Sequence, residues 1–145
     1  MSSIQDLEPR GIWKNFYALT RIPRPSGHLE KVQQFLLDWA AERHIEAFKD
    51  DAGNIIMRKP ATPGLEHLTP ITMESHMDMV PQKAVDSTHD FINDPIETYI
   101  DGDWVKAKGT TLGSDDGIGA ATAMAVLEAS DLKHGPIEAL YTVDE

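Results

Sequence analysis

The chain has 145 residues, a formal net charge of −11 and no cysteine. That length sustains one domain with a hydrophobic core. The acid excess argues against nucleic-acid binding, which needs a basic footprint. The lack of cysteine removes disulfides, thiolate nucleophiles and thiolate metal sites, and leaves His, Asp and Glu as ligands.

No apolar run reaches the length that spans a bilayer. The opening residues Met1 to Glu8 have neither the basic start nor the apolar stretch of a secretory signal. The expectation is a cytoplasmic protein with no membrane and no nucleic-acid partner. Gly11 to Thr20 place Ile12, Phe16 and Leu19 on one face, which predicts a short amphipathic helix. The two prolines and the glycine of Arg21-Ile-Pro-Arg-Pro-Ser-Gly27 break it. Ser26 is expected to cap the next helix, with Glu30 in its first turn. That helix runs from about His28 to Arg43, with Val32, Phe35, Leu36 and Trp39 as its apolar stripe. His28 and His44 are read as surface residues. Ile45 to Lys49 and Ile55 to Lys59 read as strands of a hairpin around Asp50-Asp-Ala-Gly-Asn54. Turn chemistry accounts for Asp50 and Asp51 better than a metal role does. Pro60 to Pro70 is a polar surface loop.

Ile71 begins an apolar, β-prone run that predicts a buried strand and delivers His76 and Asp78 at its exit. In extended chain, residues two apart share a face. The pair suits a metal-ligating imidazole whose other N–H is held by a carboxylate. His-x-Asp alone is a weak signal, and a strand end with a chance pair accounts for it better. Pro81 ends regular pairing. Ala84 to Asp94 is a polar loop in which His89 is read as surface. Glu97 to Ile100 and Asp103 to Ala107 form a hairpin about Asp101-Gly102.

Lys108 to Ala121 carries glycines at 109, 113, 117 and 119, which permit close backbone approach. A helix is predicted from near Asp116 to about Ala129. Its N-terminus favours the carboxylates of Asp115 and Asp116 by about 0.3–1 kcal/mol each. N-capping explains one aspartate but not glycines that weaken a helix. A phosphate cradle would need a lysine that this stretch does not place there. Gly135-Pro136 opens a buried strand, Ile137 to Val143, which ends on Asp144 and Glu145. The alternation of helices and strands predicts an α/β fold, a mixed β-sheet flanked by helices. Three elements therefore deliver His76 and Asp78, Asp115 and Asp116, and Asp144 and Glu145 at their boundaries. One histidine with several carboxylates is a ligand set for zinc, manganese or cobalt.

His76-x-Asp78, then Gly-Ser-Asp115-Asp116-Gly, then Val-Asp-Glu145 together resemble the co-catalytic zinc peptidases that include carnosinases, aminoacylases and tripeptidases. Asp78-Met-Val-Pro-Gln-Lys83, His89-Asp-Phe, Asp94-Pro-Ile and Tyr99-Ile-Asp-Gly-Asp-Trp-Val105 through Gly109-Thr-Thr-Leu-Gly113 resemble, within that family, the aminoacyl-histidine dipeptidases. The resemblance covers nearly the whole chain. It implies that residues 1–145 are the N-terminal part of a zinc-peptidase catalytic domain. The rest of that domain, and a lid domain that forms a homodimer and helps bind the substrate's carboxylate, are absent. It implies two divalent metal ions, zinc first, with cobalt or manganese as alternatives. His76 and Asp115 would be metal ligands, with Asp115 shared by both ions and followed by a cis peptide. Asp78 would hold His76, and Glu145 would be the general base. The implied activity is hydrolysis of dipeptides ending in histidine. The alternatives are a related aminoacylase or tripeptidase, or a non-catalytic fragment. The second glutamate of the family's pair and its later aspartate and histidine ligands lie outside these residues, so the 145-residue chain alone is expected to be inactive. Ser75 stands where the family usually has glycine.

Overall fold

The computed structural model describes residues 3–145. The helices form where apolar side chains recur at helical spacing. Helix α1 (Arg10–Thr20) buries Phe16 and Leu19, and α2 (Glu30–Glu42) buries Val32, Leu36 and Trp39. Helix α3 (Ser114–Glu128) buries Ala120, Ala121, Ala123, Met124 and Leu127. Its small residues let α1 approach closely, and a Cβ on Gly11 would stand 3.4 Å from the Ala125 Cβ.

The strands are β1 (Glu46–Lys49), β2 (Ile55–Lys59), β3 (Ile71–His76), β4 (Thr98–Asp101), β5 (Trp104–Ala107) and β6 (Ile137–Thr142). Four of them form one mixed sheet in the order β1-β2-β6-β3, and β4 and β5 form a separate hairpin. β1, β2 and β6 pair antiparallel, whereas β3 pairs parallel to β6, with Ile71 opposite Ile137 and His76 opposite Thr142. The expected α/β class with a mixed sheet is therefore what forms. Ile55, Met57, Ile137, Ala139 and Tyr141 line one face of that sheet and join the helices in a single core.

Three local expectations need correction. β3 is an edge strand rather than a buried one, and Ile71 is 63% exposed. Ser26 does not cap α2; Leu29 occupies that position without a side-chain hydrogen bond, and the Ser26 hydroxyl instead donates to the Asp78 carboxylate. The β4–β5 loop centres on Gly102-Asp103, because Asp101 is itself paired with Trp104. Only Gly102 has positive φ there, as a turn with glycine first requires.

The turn reading of Asp50 holds. Its carboxylate accepts from the backbone N–H groups of Ala52 and Asn54 and from the Asn54 side chain. The C-terminal end of α3 is fastened by Glu128, which accepts from Asn15 of α1 at 2.7 Å and from Arg43 beyond α2 at 2.7 Å. Partial burial raises the Glu128 pKa, but the hydrogen bonds from Arg43 and Asn15 outweigh it and hold the carboxyl below its ordinary value. A carboxylate with a depressed pKa stabilises above its unfolded-state pKa and loses that contribution as pH falls through the depressed one. Glu128→Gln is expected to cost about 1–3 kcal/mol near neutral pH, since it weakens two hydrogen bonds to partly buried donors. The gap from wild type should narrow in acid. Urea denaturation at neutral and acidic pH measures both.

Candidate metal centre

Parallel neighbours in a sheet share their exit edge. The pairing of β3 with β6 continues one step beyond β3, where the Met77 N–H donates to the Thr142 carbonyl at 2.8 Å. The chain leaving β3 and the chain leaving β6 therefore emerge side by side. A parallel pair also requires a crossover, and here it includes α3. Helix α3 starts at this same edge, so its first residues join the two strand ends. The carboxyl edge of parallel strands, faced by a helix N-terminus, is where open α/β folds place their sites.

His76, the last residue of β3, is held at both ring nitrogens. Its Nδ1 lies 2.9 Å from Asp78 Oδ1 and 3.0 Å from the Asp78 carbonyl oxygen. Its Nε2 lies 2.9 Å from Asp115 Oδ1 and 3.1 Å from Glu145 Oε2. The side chain of Asp78 is only 6% exposed, against 84% for Asp115 and 59% for Glu145. The buried carboxylate thus orients the imidazole, and the two open ones share the solvent-facing nitrogen with each other. Partial burial lowers the His76 pKa, but the hydrogen bond to Asp115 and the interactions with Asp78 raise it above its ordinary value.

All four sequence-derived site residues are thus in one place. His76, Asp115 and Glu145 each offer an atom within 4.8 Å of the others, a trio able to hold a metal ion. Imidazole with two carboxylates suits zinc, cobalt or manganese. The peptide between Asp115 and Asp116 is cis, and neither residue has helical dihedrals, so regular helix begins after them. His28, His44 and His67 lie on the surface, apart from this cluster.

In the sequence Arg24 stands out only as part of a helix-breaking segment. Arg24 is 2% exposed and stands immediately behind the site. Its Nη1 donates to the carbonyls of Met77 and Asp78 at 2.9 and 3.2 Å, and its Nη2 to that of Gly113 at 2.7 Å. Burial pulls its pKa down to about 10, while the charges of Asp78 and Asp116 oppose the fall. The available signal was a lone arginine between two prolines, where neither flank offers an amphipathic stripe to carry it to the surface.

Arg24 also explains two of the glycines that capping left unexplained. A Cβ on Gly117 would come within 2.6 Å of Arg24 Nη2 and 2.9 Å of Phe16. A Cβ on Gly113 would meet Arg24 Nη2 and Met79 Sδ at 2.8 Å, and its φ of +80° suits glycine besides. A Cβ on Gly119 would collide with the Asp116 carboxylate. Gly117→Ala is expected to destabilise by about 1–3 kcal/mol, the usual cost of overpacking. Thermal unfolding of the variant checks it.

No protein-family model matches the chain. The cytosol non-specific dipeptidase of Escherichia coli strain K12 is 48% identical over all 145 residues, which span 30% of that protein. The crystal structure of aminoacylhistidine dipeptidase from Vibrio alginolyticus superposes with a TM-score of 0.97 at 49% identity, over 99% of this chain and 29% of that one. A dinuclear metal binding peptidase of the M20 family from Bacillus subtilis shares the fold, with a TM-score of 0.55 at 16% identity over 90% of this chain and 34% of that one. Along nearly its whole length the chain is thus similar in sequence and in fold to part of one aminoacylhistidine dipeptidase, as its motifs suggested. The chain spans under a third of the length of the dipeptidases it matches.

Proposed function

We propose that these residues form the first part of the catalytic domain of a cytoplasmic metallodipeptidase that hydrolyses dipeptides with C-terminal histidine. The observation that carries this reading is His76, gripped at Nδ1 by buried Asp78 and facing Asp115 and Glu145 with Nε2. The 48% identity to a dipeptidase supports the reaction class, and among the described residues no helix is long and apolar enough to cross a membrane.

His76 and Asp115 would be ligands of a pair of divalent ions, zinc first, and Asp115 would serve both. Such a pair supplies Lewis-acid polarisation of the scissile carbonyl and acidifies a water. Asp78 fixes the tautomer: its Oδ1 accepts from Nδ1–H and leaves the Nε2 lone pair directed outward. Glu145 would take the proton of the attacking water and return it to the leaving amine. His76 and Asp115 cannot complete two ions, since a catalytic zinc alone takes three protein ligands. The remaining ligands would come from elsewhere in the complete protein, as would the surface that recognises the histidine carboxylate and a homodimer contact. The 145-residue chain by itself is accordingly expected to show no turnover.

The tests use the complete protein. Glu145→Gln should keep its metal and lose turnover by about 10²–10⁴-fold, the range for removal of a general base. Metal loss in that variant would instead make Glu145 a ligand. His76→Ala should lose one ion, measured by elemental analysis. Because the raised pKa of His76 means that a proton competes for Nε2, metal affinity should weaken as pH falls through the imidazole's titration. Faster turnover of acylated amino acids or tripeptides than of β-alanyl-histidine and glycyl-histidine would reject the substrate assignment.

A further inference from the structure

We infer that Arg24 is a positioning residue, whose guanidinium fork sets the separation between the two arms of the metal centre. The inference rests on the reading of His76 and Asp115 as metal ligands. These residues lie 39 positions apart in the chain and arrive on different elements, β3 and α3. Their side chains meet at the site, but side chains that share an ion do not by themselves hold two backbones at a set distance. The fork does so. Nη1 grips the His76 arm through the carbonyls of Met77 and Asp78, and Nη2 grips the Asp115 arm through that of Gly113. The accepting residues stand one or two positions from the proposed ligands.

The segment that carries Arg24 is fastened to the same arm. The Met79 N–H donates to the Arg24 carbonyl at 3.0 Å, and the Ser26 N–H donates to the Met79 carbonyl at 3.2 Å. Pro25 and Met79 form an isolated parallel bridge. The Ser26 hydroxyl donates to Oδ2 of Asp78, leaving Oδ1 for His76. Both oxygens of the residue that orients the imidazole are therefore committed.

Burying a guanidinium is costly unless its donors are satisfied and its charge is opposed. Here Nη1 and Nη2 both reach backbone carbonyls, and Asp78 and Asp116 are the counter-charges. Gly113 and Gly117 leave room for the fork, since a Cβ at either would lie within 2.8 Å of Nη2. A planar fork, not charge alone, is what reaches carbonyls on two separate chain segments.

Arg24→Lys keeps the charge and loses the fork. In the complete protein the variant should bind Co(II) about 10–100-fold more weakly than wild type, the usual loss when support behind a ligand is removed. Its visible absorption should change as the coordination relaxes. Unchanged Co(II) affinity and spectrum, beside a lowered melting temperature of the metal-free form, would overturn the inference and leave Arg24 as ordinary core. If Arg24→Lys does not fold, Gly117→Ala, whose Cβ would press on Nη2, displaces the same fork at a milder site. A loss of Co(II) affinity there supports the inference, and an unchanged affinity and spectrum overturns it. A wild-type protein that takes up no Co(II) would refute the metal reading itself, an outcome distinct from either.

Discussion

The structure depends on the parallel alignment of β3 with β6. Two strands that run the same way must leave the sheet at the same edge, and the helix that links them must start there. This brings together residues from β3, α3 and the segment after β6 that have no local reason to meet. Had β3 paired antiparallel with β6, its exit would lie at the opposite edge, and His76 could not face Glu145. The register matters as much as the direction. His76 stands opposite Thr142, and a slip of one residue would turn its ring to the other face of the sheet.

The same convergence creates an electrostatic problem. Asp78, Asp115, Asp116 and Glu145 crowd one edge of a chain that is already strongly acidic. Like charges at short range are unfavourable, and most so where water is excluded. Two devices offset this. Arg24 sits beneath the cluster where Asp78 is buried, and the N-terminal end of α3 presents its positive dipole to Asp115 and Asp116. On the open side, the His76 imidazole faces Asp115 and Glu145, and there a cation would find two carboxylates already in place.

Much of this was legible from residue order. The helices followed from their stripes, β1 and β2 from alternation around an Asp-rich turn, and the site residues from the boundaries at which polar groups appear. Apart from the one-residue shift of the β4–β5 turn, what escaped shares one cause: it depends on partners distant in the chain. Ile71 looks like a core residue by itself, but an edge position leaves it in solvent. Ser26 has the chemistry of a helix cap, and nothing local says that Asp78 will claim its hydroxyl. Arg24 shows only its place between two prolines, and nothing in the sequence marks its three acceptors, because they are backbone carbonyls, which every residue has. The glycines of the α3 entry were visible as an anomaly, yet the reason for Gly113 and Gly117 was a side chain some ninety positions earlier.

The β3–β6 pairing also has a consequence in time. β4, β5 and all of α3 intervene between the two strands, so a long loop must close before their ladder can form. The entropy of that closure is lost before the contacts repay it. The hairpin of β1 with β2, and the individual helices, face no such delay. The edge that carries His76, Asp115 and Glu145 is therefore assembled from contacts between residues distant in the chain, and takes shape after the hairpin and the helices. Ion capture would then report completed topology, and a nascent chain with its helices already formed would still be blind to metal.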